Sequence, residues 1–170
     1  MKILFFLLLS LQFSHALIIS PEDALKQTLL ADDVSKQSKI LTKAQHKQVQ
    51  QLAKTKLKSK LYRIYHATKN AKTIGHGILL THSVRSKNTA VLSIIDTKGT
   101  LIAIEIIAFN EPKEYLPSKR WLQQFDHNQA EHFNTQSGNI NNITGATLSA
   151  SAVVNIANLA HAIAKVTLKP

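Results

Sequence analysis

The chain has 170 residues, 44% of them apolar, with 21 Lys and Arg against 10 Asp and Glu and no cysteine. That length supports one domain with a sizeable core. The lack of cysteine excludes disulfides, thiolate metal sites, c-type haem attachment and a lipidated-cysteine anchor.

The N-terminus begins Met1-Lys2, continues as an apolar run from Ile3 to Phe13, and reaches Ser14-His15-Ala16. A basic start, a short apolar stretch and small residues three and one before a cut predict a secretory signal peptide over residues 1–16. The run is too short for a spanning helix, which needs about 20 apolar residues. An uncleaved N-terminal anchor is the alternative. Cleavage after Ala16 leaves a domain over residues 17–170, 154 residues with 20 Lys and Arg against 10 acids. The excess is uneven, because Val34 to Ile95 holds 13 Lys or Arg and no acid, whereas six acids return between Asp96 and Glu131. Such a basic half attracts anions such as lipid headgroups or an acidic protein partner, or it is simply a solvated lysine face. Nucleic acid is a poor match, since the charges are mostly Lys and only Tyr62 and Tyr65 offer aromatic platforms nearby.

Ser20-Pro21-Glu22-Asp23 is a helix start, with a Ser cap, Pro in the first turn and an acid reaching back. The helix is predicted to run to about Leu30. Thr42 with Gln45 three residues on opens a second helix, with Val49, Leu52 and Ala53 on its apolar side. Strand patterns follow at Leu61–Tyr65, at Thr73–Leu80 with Gly75 and Gly77 inside it, and at Thr89–Ile95 and Leu101–Phe109. The last two join across Asp96-Thr97-Lys98-Gly99, a hairpin signal. Ser118 caps a short helix that places Trp121, Leu122 and Phe125 at helical spacing. A final helix starts near Thr147 and carries Leu148, Ala152, Ile156, Leu159, Ala160 and Ile163 on one face. Two helices, an antiparallel meander and two more helices predict a single α+β domain.

The candidate chemistry sits at the mouth of that last helix, in Asn142-Ile143-Thr144-Gly145-Ala146-Thr147-Leu148-Ser149. Gly145 lets a ligand or another strand touch the backbone. Ala146 adds only a methyl. Thr147 presents a hydroxyl where unpaired N–H groups and the helix dipole favour a negative group, so a phosphate would suit this place. The loop is no Walker motif, for no Lys follows the glycine. The plainer alternative is that Thr144 or Thr147 caps the helix and Gly145 turns the chain. Elsewhere there is no serine elbow, no paired-carboxylate signature and no His-Glu-x-x-His, so no catalytic or metal residues are predicted.

Thr144-Gly145-Ala146-Thr147 with Leu148-Ser149 resembles the flavinylation motif of the FMN-binding domain family, which includes the covalent-flavin subunits of the sodium-pumping NADH:quinone reductase. Thr81-His82-Ser83-Val84-Arg85 and the stretch from Phe109 to Leu122 are similar to segments of small exported members, in the same order. The resemblance spans roughly Ser20 to Ala164. It implies FMN attached to Thr147 through a phosphoester, with Thr144, Gly145, Ala146 and Leu148 forming the motif loop. Asn141 stands where the family usually carries Asp.

It further implies that His82, Arg85, Glu111 and Trp121 border the flavin. Trp121 could flank the isoalloxazine, or it and Phe125 could be core. Glu111 could hold the motif loop or a flavin N–H, or be a turn residue before Pro112. Arg85 and Lys87 could meet a phosphate or a flavin carbonyl, or be solvated. His127 and His132 carry no pattern, and the Asn142-Ile143-Thr144 glycosylation triplet lies inside the motif. The implied function is an exported electron carrier, matured by a flavin transferase and paired with a membrane-associated reductase or cytochrome. The alternatives are a non-redox basic module docking on an acidic protein or an anionic membrane, and a flavin-dependent reductase with its own small substrate.

Overall fold

A computed structural model describes residues 19–128, 131–136 and 138–168. The expected signal peptide and its cut lie outside the described residues. Helix α1 (Pro21–Leu29) is followed by β1 (Asp33–Ile40), α2 (Lys43–Ala53), β2 (Leu61–Lys69), β3 (Lys72–Ser83), β4 (Asn88–Asp96) and β5 (Leu101–Phe109). A 3-10 turn (Lys113–Tyr115), α3 (Lys119–Leu122), a second 3-10 turn (Gln123–Phe125) and α4 (Thr147–Thr167) complete the chain. The five strands form one antiparallel sheet in the order β1-β2-β3-β4-β5. This is the α+β architecture that the patterns predicted.

The sheet buries both faces. One face carries Tyr62, Ile64, Ile78, Leu80, Val91 and Ile104 into the main core with α2 and α4. The other carries Tyr65, Ala67, Leu92 and Ile94 against Ala24 and Leu25 of α1. Burial on both sides explains why β4 reads as a continuous apolar run, Val91-Leu92 and Ile94-Ile95, rather than as an alternation. Helix α4 is long and apolar enough to cross a membrane by composition, but here it is a core helix and most of its length is buried. Its alanines Ala150, Ala157 and Ala160 let it lie close to its neighbours.

Two features were not legible in advance. β1 reads Asp-Val-Ser-Lys-Gln-Ser-Lys-Ile, too polar to signal a strand. It forms because β2 offers a free edge from Asp33↔Thr68 to Ile40↔Leu61. Lys36 on it also reaches Glu22 of α1 at 3.7 Å, an exposed pair of small value. Between β2 and β3 the chain turns at Asn70 and Ala71, both with positive φ (49° and 61°). That matches the two-residue hairpin geometry whose twist suits the flanking strands.

Gly75 allows α1 to sit on β3. A Cβ there would stand 2.7 Å from Leu29 Cδ1 and 2.8 Å from the carbonyl oxygen of Ile95. The leucine tip can swing away, but a backbone oxygen in the β3–β4 ladder cannot. Gly75→Ala is therefore expected to destabilise the domain by about 1–3 kcal/mol, as overpacking does. Urea unfolding checks this, and an unchanged midpoint would mean that the ladder yields at Ile95.

Candidate functional site

Three of the four α-helices start with the side-chain caps that their sequences announce. Ser20 accepts from the Asp23 N–H at 3.0 Å, Thr42 and Gln45 form a reciprocal capping box, and Ser118 accepts from the Trp121 N–H at 3.2 Å. Helix α4 does not. Its cap position is Ala146, and neither Thr144 nor Thr147 caps it. A missing cap forgoes about 1 kcal/mol.

The chain reaches α4 through Gly145 at φ 79°, a turn closed by the Ala146 N–H donating to Ile143 O at 3.0 Å. Positive φ is the reason for glycine here, since a Cβ would meet nothing within 4 Å. Thr144, Gly145 and Thr147 are exposed, and Leu148 is half exposed. The first intrahelical bond of α4 runs from Ala150 N–H to Ala146 O. The N–H groups of Thr147, Leu148 and Ser149 have no acceptor among the described residues, and the buried Ser149 Oγ likewise has no partner. No acidic residue follows Glu131 in the sequence. An anionic group at this helix start therefore meets free donors, the positive end of the dipole and a slim backbone. The donor set fits a phosphate.

The approach to this loop is held from outside. Trp121 Nε1 donates to Asn141 O at 2.7 Å, and the Asn141 N–H donates to Gln124 Oε1 at 2.7 Å. Trp121 also meets Phe125 edge to face at 5.5 Å, and Phe125 meets Phe133 at 5.2 Å. Trp121 is thus core and clamp together. Its exposed rim shares a shallow cleft with Ser118, Arg120, Gln124 and Asn141. Asn141 is fastened by its backbone, so its side chain is free to be Asn or Asp without changing the clamp. Further back, the buried Asn158 of α4 accepts from the Phe133 N–H at 2.8 Å and donates to Phe133 O at 2.9 Å, pinning the preceding loop. Sequence reasoning passed over Gln124 and Asn158, because each looks like an ordinary polar residue on a helix.

A second group gathers at the β3–β4 turn. One carboxylate oxygen of Glu111 accepts from the N–H groups of Arg85, Ser86 and Lys87 at 3.1, 2.9 and 2.9 Å. Those bonds, the one from Lys87 foremost, hold the Glu111 carboxyl below the usual carboxylate range. The Arg85 guanidinium lies 4.1 Å from the centre of the Tyr115 ring, so that exposed cation is stacked rather than loose. Glu111 binds this turn, and not the motif loop. His82, one residue before the end of β3, pairs with Thr89, and burial, then Lys58, lowers its pKa. Among the described residues, no hydrogen bond, ion pair or ring contact joins this group to the Thr144–Thr147 loop. The residues singled out from the sequence are thus tied into two hydrogen-bonded groups, one at the β3–β4 turn and one around Asn141. Among the described residues, no three metal-ligating side chains cluster.

Residues 85–162 match the family model for the FMN-binding domain. The match begins in the β3–β4 turn and takes in Glu111, Trp121 and the motif loop, while the β3–β4 ladder runs unbroken across its start. No curated protein and no solved structure matches the chain.

Proposed function

Because the chain belongs to the FMN-binding domain family through residues 85–162, and is thereby a flavin-binding protein whose cofactor is FMN, we propose that it is an exported electron carrier with FMN joined to Thr147 by a phosphoester. The observation that carries this reading is the uncapped start of α4, where the exposed Thr147 follows a glycine turn and three N–H groups have no acceptor among the described residues. Thr147 would supply the ester oxygen. The N–H groups of Leu148 and Ser149 would hold the phosphate charge that remains. FMN supplies one- and two-electron chemistry by itself, so the protein need only hold it, orient it and set its surroundings. This agrees with the absence of a catalytic constellation in the sequence. The arginine stacked on Tyr115 and the turn tied by Glu111 are preorganised polar groups available to the flavin's carbonyls or the ribityl chain.

Export accounts for the rest of the proposal. A dissociated FMN would be diluted outside the cytoplasm, and a covalent tether prevents that loss. Maturation needs a flavin transferase, and the electron partners are taken as a membrane-associated reductase or cytochrome. Co-expression with a flavin transferase, followed by an absorption spectrum of the denatured, desalted protein, tests the attachment. A flavin band that stays with the chain is expected. A colourless chain would overturn covalent binding, and turnover of a small substrate without a partner would make the protein a reductase instead. If the transferase reads a carboxylate three residues before Thr144, Asn141→Asp should raise the yield of adduct without altering the Trp121 clamp. Exchange with an acidic partner should slow between 0.1 and 1 M salt, as the Debye length falls from about 10 to about 3 Å. Rates flat over that range would remove the lysine face from the encounter.

A further inference from the structure

The sheet opens at one place. The β1–β2 ladder continues to Ile40↔Leu61 and the β3–β4 ladder to Ser83↔Asn88, but the β2–β3 ladder reaches only Arg63↔Leu79. Beyond that rung β2 and β3 part, and a cleft of about 320 Å³ lies between Leu61-Tyr62 and Leu80–His82. Its apolar lining includes Leu57, Leu80, Ile156 and Leu159, and its cations are Lys56, Lys58 and Arg63. No carboxylate lines it. Beside it, Ile40 and Leu61 are paired directly across β1 and β2, and they are 75% and 56% exposed. Residues opposite each other on antiparallel strands share a face, so the two form one protruding apolar knob. Lys60 precedes Leu61, and Lys58 and Lys56 lie just before it, all three exposed.

We propose that this face, the Ile40–Leu61 knob with the split between β2 and β3, docks on an anionic phospholipid surface. The knob enters the interfacial layer while Lys56, Lys58, Lys60 and Arg63 meet headgroup phosphates. Two observations favour a bilayer over an acidic protein. First, the surface combines an acid-free cationic rim with apolar side chains that project outward, and a bilayer offers an anionic plane with apolar depth behind it. Second, the rim is mostly lysine, a flexible point charge suited to mobile headgroups, whereas fixed carboxylates favour the planar fork of arginine. Residues 40–63 lie outside the family match, so the surface belongs to this chain's own N-terminal half. The proposal is independent of the flavin.

The test is co-sedimentation with phosphatidylcholine vesicles that contain phosphatidylglycerol, against vesicles of phosphatidylcholine alone. The chain starting at Leu17 is used, so that the Ile3–Phe13 run does not itself insert; every described element lies within it. Binding is expected to the anionic vesicles only and to weaken with salt. Each lysine near such a surface is worth about fivefold, so Lys56→Gln/Lys58→Gln/Lys60→Gln should weaken binding about 100-fold. Ile40→Ser/Leu61→Ser should weaken it at least several-fold at unchanged charge. Both positions are exposed, and circular dichroism checks that the fold persists. Equal binding to neutral vesicles, or the same affinity in both variants, would overturn the proposal. So would binding to a polyglutamate peptide with none to vesicles, which would make the surface a dock for acidic protein. Loss of vesicle binding with the flavin adduct intact would leave the electron-carrier proposal standing, and the reverse result would leave the membrane surface standing.

Discussion

Thr147→Ala is expected to give a folded protein with no covalent flavin. The threonine side chain is exposed and caps nothing. Alanine suits a first helical turn at least as well, so the melting temperature should not fall. What disappears is the hydroxyl oxygen that the ester requires. Thr147→Ser should keep the adduct, and Thr144→Ala should be milder than Thr147→Ala. Gly145→Val should block modification and strain the turn, because φ 79° costs a residue with a Cβ about 1–2 kcal/mol. Peptide mass spectrometry after co-expression with the transferase reads all four. The structure narrows the rival sites: Ser149 is buried, Ser151 is half-buried, and Thr144 is the other exposed hydroxyl of the motif loop. A flavin mass on Thr144, Ser149 or Ser151 in place of Thr147 would sink the assignment.

Acidification from pH 7.5 to 5.5 should lower the melting temperature by about 5 °C or more, well before most carboxylates titrate. Four histidines are held below their ordinary pKa near 6.5, in each case chiefly by burial: His66, His76, His82 and His161. Lys39 lowers His66 further, and His66 in turn lowers His76. His66 and His76 face each other across β2 and β3 with ring nitrogens 3.0 Å apart, so a proton on one places charge beside the other. His161 has both ring nitrogens buried with no partner among the described residues.

A depressed histidine favours the neutral form in the fold. Its stabilisation is complete above the unfolded pKa and is lost as pH falls from about 6.5 through the folded value. Glu111 works in a different window, because its lowered carboxyl titrates only below the usual carboxylate range. Differential scanning fluorimetry across the range checks the expectation. His161→Leu should flatten the slope, and a wild-type slope of zero would mean that these rings are already open to water in solution.

Much of this protein could be read from its sequence, for local reasons. Ser20, Thr42 and Ser118 announce helix starts because a hydroxyl cap works through the three residues that follow it. Asp96-Thr97-Lys98-Gly99 announces a hairpin because the turn is made within itself: Asp96 Oδ1 accepts from the Lys98 and Thr100 N–H groups at 2.8 Å each, and Gly99 takes φ 90°. The apolar runs of β4 and β5 gave the meander, and the small residues of the motif loop pointed to the start of α4, which has no side-chain cap.

Other features depend on partners far away along the chain. β1 is a strand because β2 presents an edge, and nothing within Asp33–Ile40 contains that information. Glu111 could be placed beside the motif loop or in a turn by its sequence; folding decided for the β3–β4 turn, by bringing three N–H groups 24 to 26 residues upstream onto one oxygen. Trp121 and Phe125 showed helical spacing, yet only packing revealed that the indole N–H fastens Asn141, 20 residues on. That α4 starts uncapped is also a tertiary fact. Two threonines stood within reach of the cap, and the turn at Gly145 left both facing solvent.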